Sequence, residues 1–181
     1  NAVSPGKVPK IKVLGKFIVL SDDERGRFES GAKQEYLINQ VQKHKYFVAE
    51  KRSLLDLHHI TGSVRALFFI AKNDNGHLLD LSQGTGSPSI DFYINGSNYF
   101  MPHNPLFYNT YLPSKHMISM PKHEHIYAMP FALKACDFQP SGTLNFTALK
   151  TRVIELNNID IAAVAGNALN FEVSVYAYTN N

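Results

Sequence analysis

Residues 168–178, Ala168-Leu169-Asn170-Phe171-Glu172-Val173-Ser174-Val175-Tyr176-Ala177-Tyr178, alternate in character more regularly than any other stretch of this chain. Leu169, Phe171, Val173, Val175 and Ala177 fall on one face, and Asn170, Glu172, Ser174 and Tyr176 on the other. A period of two is that of a half-buried β-strand. The signal recurs towards the N-terminus. Residues 143–156 place Leu144, Phe146 and Ala148 on one face, and 125–133 carry Pro130, which marks an edge or a bulge. Residues 89–94 close on Asn95-Gly96, a turn pair, and 64–72 form a nearly continuous apolar run. A weaker segment at 53–60 and β-rich stretches at 35–48 and 10–20 bring the expected number of strands to about eight.

One helix is signalled between the first two of these strands. Ser21-Asp22-Asp23-Glu24 is a capping box, in which Ser21 and Glu24 satisfy each other's backbone amides. The three acids suit the positive end of the helix dipole, while Gly26 and Gly31 keep the helix to about two turns. A second helical turn is expected near 104–111.

Many strands, little helix and long Pro-rich connections at 73–88 and 98–124 predict an all-β fold. The expected architecture is an eight-stranded jelly-roll sandwich with one or two short helices in its connections, forming a single domain over 1–181. Periodicity alone does not separate this from an immunoglobulin-like sandwich. With no Trp and one Cys, however, the chain lacks the Cys…Trp…Cys pattern of true immunoglobulin domains.

Composition narrows the function. The 181 residues are 44% hydrophobic and 18% charged, with 11 Gly and 9 Pro, which excludes a disordered chain. No stretch approaches the length of a membrane-spanning helix. The single Cys136 excludes an internal disulfide framework and a Cys-based zinc site. A net charge of +3 is too mild to argue for nucleic acid. The loosely basic stretches, Lys7, Lys10, Lys12 and Lys16 and then Lys43, Lys45, Lys51 and Arg52, read as a solvated face or a contact with an acidic partner. The chain opens on Asn1, and NAVSPGKVPK has no apolar h-region, so a piece of a longer chain or a processed product is expected.

Candidate chemistry is sparse. His123 and His125 flank Glu124 and share a face on a strand, with His116 nearby, and His58-His59 form a second pair. Such residues could hold a metal in a cupin-like roll. The plainer reading, polar histidines at loop edges, is preferred, so no metal, no cofactor and no catalytic residue is expected. No nucleophile elbow, zincin motif or phosphate loop is present, and Gly84-Thr85-Gly86-Ser87 reads as a flexible loop. Cys136, with Lys134 close by, reads as a structural thiol. Two glycosylation sequons occur. Asn95-Gly96-Ser97 lies in a turn and is a candidate site, whereas Asn145-Phe146-Thr147 lies in a strand and is discounted. Tyr93, Tyr99 and Phe100, near Asn95 and Asn98, could stack on a sugar in a lectin-like module. The loop 98–113 holds five aromatics, Tyr99, Phe100, Phe107, Tyr108 and Tyr111, with three prolines. It could plug the core, but it is read here as an inter-subunit contact arm.

The string FALKACDFQPSGTLNFTAL (131–149) contains a turn, Gln139-Pro140-Ser141-Gly142, feeding a strand. It resembles a segment near the C-terminus of the major capsid proteins of nucleocytoplasmic large DNA viruses. KFIVLSDDERGRFESGAKQEYLINQVQ (16–42) and VRALFFIAKN (64–73) are similar to further blocks of that family in the same order, and VSVYAYTNN (173–181) fits its final strand loosely. The resemblance implies the C-terminal jelly roll of a double jelly-roll protein of the iridovirus, chlorovirus and asfarvirus group. It implies no enzymatic activity. Three chains would form a pseudo-hexameric capsomer, and capsomers would tile an icosahedral shell. The partners implied are the chain itself as a homotrimer, neighbouring capsomers and minor capsid proteins, with no direct nucleic-acid contact. The implied location is the virion, assembled in the host cytoplasm. A single-roll minor capsid protein and a lectin-like module stand as alternatives.

Overall fold

The inward positions of the best-alternating strand, Phe171, Val173, Val175 and Ala177, are all fully buried. In the computed structural model, which describes residues 12–31, 37–83, 86–119, 125–165 and 170–180, this strand is the centre of the larger of two sheets. The chain divides into two units, before and after Leu37.

The first unit contains α1 (Asp22–Glu29). Its capping box is formed: Ser21 Oγ accepts from Glu24 N, and the Glu24 carboxylate accepts from Ser21 N at 3.2 Å. The helix buries none of its residues, so local capping and the dipole support it rather than a core.

The second unit is a two-sheet sandwich. In chain order its strands are β1 (Asn39–Val48), β2 (Ser53–Asp56), β3 (Ser63–Lys72), β4 (Leu78–Leu79), β5 (Ser89–Ile94), β6 (Ser97–His103), β7 (Tyr127–Pro130), β8 (Leu144–Asn145), β9 (Arg152–Asn157) and β10 (Phe171–Asn180). All pairings are antiparallel. One sheet runs β1-β10-β3, with the short strands β8, β7 and β4 following one another along the far edge of β3. The other runs β2-β9-β5-β6. Omitting the two-residue β4 and β8, the halves are β1-β10-β3-β7 and β2-β9-β5-β6. The chain changes sheet at every connection except the β5–β6 hairpin, which is the winding of a jelly roll. The core between the sheets is built from Leu67, Phe69, Phe92, Ile154, Val173 and Val175 with their neighbours. A smaller cluster of Ala66, Ala132 and Ala135, joined by Phe68 and Met117, sits apart from it.

The elements depart from the sequence reading in five places. Residues 12–20 have no regular secondary structure, and residues 10 and 11 lie outside the described ones. Apolar β-branched composition makes a strand only where a ladder partner exists. Conversely, the connection assigned to 98–124 begins as a strand, β6. Pro102 is tolerated there because β6 is the outermost strand of its sheet. The segment 143–156 is not continuous: Asn145 accepts from Thr147 N and caps a 3₁₀ turn at Phe146–Ala148 before β9 begins. Helix near 104–111 extends further than expected, through a π-helical turn at Phe107–Tyr111 into α2 (Leu112–His116). A third helix, α3 (Ile161–Ala165), begins behind Asp160, whose carboxylate accepts from Ala163 N.

Candidate functional site

The aromatic segment lies partly in and partly on the sandwich. Tyr99 and Phe100 belong to β6, and Phe107, Tyr108 and Tyr111 to the π-helical turn. Tyr108 is fully buried, donates to Ile90 O at 2.9 Å and packs near Phe69 and Phe100. Burial, with Asp91 nearby, pushes its phenol far above the ordinary range. Tyr108 is therefore a core plug, which corrects its reading as a contact residue: an apolar ring with a matched hydroxyl gains more inside than out. Phe100 and Phe107 are partly buried against the same core. Tyr99 and Tyr111 remain about half exposed. A single sugar-stacking platform is not assembled. Tyr99 packs on Phe92 and Phe131, whereas Tyr93 keeps company with Asp91 and Glu155, cross-strand neighbours within the β5–β9 pair.

The motif turn is held from two sides. Ser141 Oγ accepts from Lys134 N at 2.7 Å and donates to Lys134 O at 3.1 Å, closing the loop on itself. Gly142 has φ +139°, a conformation that disfavours any side chain. Gln139 is exposed and Pro140 half-buried. Beneath the loop lies Arg65 of β3, fully buried, with Nη2 donating to Lys134 O and Asp137 O. Its guanidinium also lies 5.2 Å from the centre of the Tyr178 ring. Leu133 and Phe138 project outward, at 72% and 77% exposure. A cavity of about 200 Å³ separates this loop from the end of α2, lined by Lys115, His116, Met117, Ile118, Lys134 and Cys136. Cys136 is an exposed free thiol.

The histidines fall into separate environments. His116 Nδ1 is 3.3 Å from Leu133 O, His125 is half-buried, and His123 lies outside the described residues, as do Lys7, Lys10, Gly84 and Thr85. Among the described residues no group of three or more His, Cys, Asp or Glu is placed to hold a metal ion. His44, His58 and His59 do cluster, through ring contacts: His59 stacks on His44 at 4.3 Å and lies 3.5 Å from His58.

Two further features were not legible from residue order. Arg152, 7% exposed, donates to the carbonyls of Leu57, His58, Ile60 and Leu149. Asp91 and Glu155 are cross-strand neighbours, both nearly fully buried. Glu155 takes Arg52 as its partner, while burial and then Glu155 raise the Asp91 carboxyl above its usual range. Their only sequence signal is a charged residue inside a strand pattern, which reads equally well as a solvent face.

Surface features complete the inventory. On β1 Val41 and Phe47 are 63% and 75% exposed, Lys43 lies over Tyr176, and Lys45 pairs with Glu172 at 2.8 Å. At the β5–β6 tip, Asn95 and Gly96 both have positive φ, as a two-residue hairpin turn requires. Exposed Asn95 uses Oδ1 to accept from Lys150 N and Thr151 N. No helix among the described residues is long and apolar enough to cross a membrane. The arrangement is rich in packing devices.

Known proteins echo this geometry. Residues 24–181 match the family described as large eukaryotic DNA virus major capsid protein. The fold is similar to a chain of the PBCV-1 virus capsid, with TM-score 0.72 and 22% identity over 90% of this chain and 51% of that one. It is also similar to the Faustovirus major capsid protein, with TM-score 0.66 and 12% identity over 80% of this chain and 33% of that one. The major capsid protein P2 of bacteriophage PM2 gives TM-score 0.52 and 9% identity over 80% of this chain and 45% of that one. This chain thus spans about half, or less, of each solved chain it matches. No curated protein matches it.

Proposed function

Because this chain belongs to the major capsid proteins of large eukaryotic DNA viruses, we propose that residues 37–181 serve as the second of two jelly rolls in a shell-building subunit. In this reading three subunits form a pseudo-hexameric capsomer, and capsomers pack beside one another and onto minor capsid proteins in an icosahedral shell. The role is structural and assigns no reaction to the chain. It places the protein in the virion, after assembly in the host cytoplasm.

The observation that carries the reading is the match of one complete roll to about half of a longer capsid chain. A second observation agrees with it. Val13, Leu14, Phe17, Ile18 and Val19 are 74–94% exposed, a run of apolar residues that calls for a covering surface. Tyr99, Tyr111, Leu133 and Phe138 are large exposed side chains suited to subunit contacts. Asn95 is the position for a glycan if the protein meets glycosylation machinery.

Native mass spectrometry of the protein from its source, with a denatured mass alongside, tests this. The expected result is a polypeptide of more than twice the 20.3 kDa of these residues, assembling as a trimer. A monomer of about that mass overturns the proposal.

A further inference from the structure

The outermost strand of the larger sheet, β1, is fastened to the β2–β3 connection by side chains. Gln42 and Thr61 bond reciprocally: Gln42 Nε2 donates to Thr61 O at 2.7 Å, and Thr61 N donates to Gln42 Oε1 at 3.0 Å. Tyr46 Oη donates to Asp56 O, at the end of β2 where that connection begins. Between these two fastenings stands His44, its ring 4.7 Å from that of Tyr46 and stacked at 4.3 Å on His59. His59 in turn lies 3.5 Å from His58, whose Nδ1 is 3.2 Å from Asp56 Oδ2. Three imidazoles thus stand in a row with one carboxylate at the end. Arg152 of β9 approaches the same connection, donating to the carbonyls of His58 and Ile60.

The geometry points to a pH-sensitive latch, in which the Gln42–Thr61 and Tyr46–Asp56 bonds hold β1 to the β2–β3 connection while the row of His44, His58 and His59 is neutral, and charging of the row releases it. Charges of both signs face the row. Asp56 can neutralise one imidazolium, and His58 is the ring beside it. Arg152 adds positive charge from β9 and offers no relief. One carboxylate therefore faces three stacked imidazoles, too little negative charge to offset a fully charged row.

The His59 titration has the matching sign. Desolvation, then His58 and His44, hold its imidazole below the ordinary range, against an opposing pull from Asp56. A base whose folded pKa is depressed binds fewer protons folded than unfolded, so the stability it supplies is present above the unfolded value of about 6.5 and is lost as pH falls through the folded value. His is the side chain suited to such a change between about pH 5 and 8.

Hydrogen exchange of the intact protein at about pD 7.5 and about pD 5.5, corrected for intrinsic rates, tests the latch. Peptides covering 39–48 and 57–62 should exchange roughly threefold or more faster in acid, while β5 stays unchanged. H59Q, at an exposed position, should retain the neutral-pH fold and lose the acid response, and H44Q should do the same. Equal protection at both pH values, an acid response shared by β5, or a response that survives in both variants would overturn the latch.

Discussion

Two buried arginines anchor loops to opposite sheets, and they do so unequally. Arg152, on β9, gives four hydrogen bonds to main-chain carbonyls and uses all three of its nitrogens. Arg65, on β3, engages only Nη2, while its Nε and Nη1 are buried with no hydrogen-bond partner. Neither has a carboxylate partner among its described hydrogen bonds and ion pairs. A buried cation is tolerable when carbonyl dipoles replace its lost hydration, and costly to the degree that they do not. Arg152 therefore stabilises its region, whereas Arg65 secures the motif loop at some expense, offset in part by the Tyr178 ring.

The comparison is broken most severely by Arg152→Met. It keeps the aliphatic volume but orphans the carbonyls of His58, Ile60 and Leu149, so a loss of about 3 kcal/mol or more is expected in chemical denaturation. Next comes Gly142→Ala, which forces a Cβ onto a residue at φ +139° and should cost about 1–3 kcal/mol. A nearest-neighbour distance of 3.6 Å for that Cβ leaves room, so the cost is conformational rather than steric. Ser141→Ala removes the two bonds to Lys134 and should cost about 1 kcal/mol, a fall of roughly 2–4 °C in thermal midpoint for a chain of this size. Arg65→Met sharpens the comparison most: it removes two unsatisfied nitrogens along with the charge, so its effect should lie within about 1 kcal/mol of zero. Finding Arg65→Met as damaging as Arg152→Met would show that the two anchors are equivalent after all.

The sequence reading and the structure part where a pattern needs a partner. The alternation at 171–178 specified its strand fully, because its inward residues are apolar and β1 and β3 flank it on either side. The stretch 12–20 is as apolar, yet it has no ladder among the described residues. β6 was hidden by Pro102, which an edge position excuses. The capping box was legible because all its participants lie within four residues. The arginines were not, since their acceptors lie 92–95 residues away for the β2–β3 connection of Arg152 and 69–72 away for Arg65. Residue type signals a charge, but only the fold supplies the carbonyls that receive it. The aromatic segment was half legible. Its composition announced buried apolar surface, but a π-helical turn turns Tyr108 inward and leaves Tyr111 exposed, a division no simple period describes.

The tip of the β5–β6 hairpin has a consequence for anything attached to it. Asn95 already has its side-chain torsions fixed by the amides of Lys150 and Thr151, both bound through Oδ1. Glycosylation takes place at the other atom, Nδ2, and leaves those two bonds intact. A sugar carried there would stand on a fixed post instead of a swinging tether. It would sweep a narrow cone above one corner of the roll, and its shadow would fall on the same few neighbours in every copy.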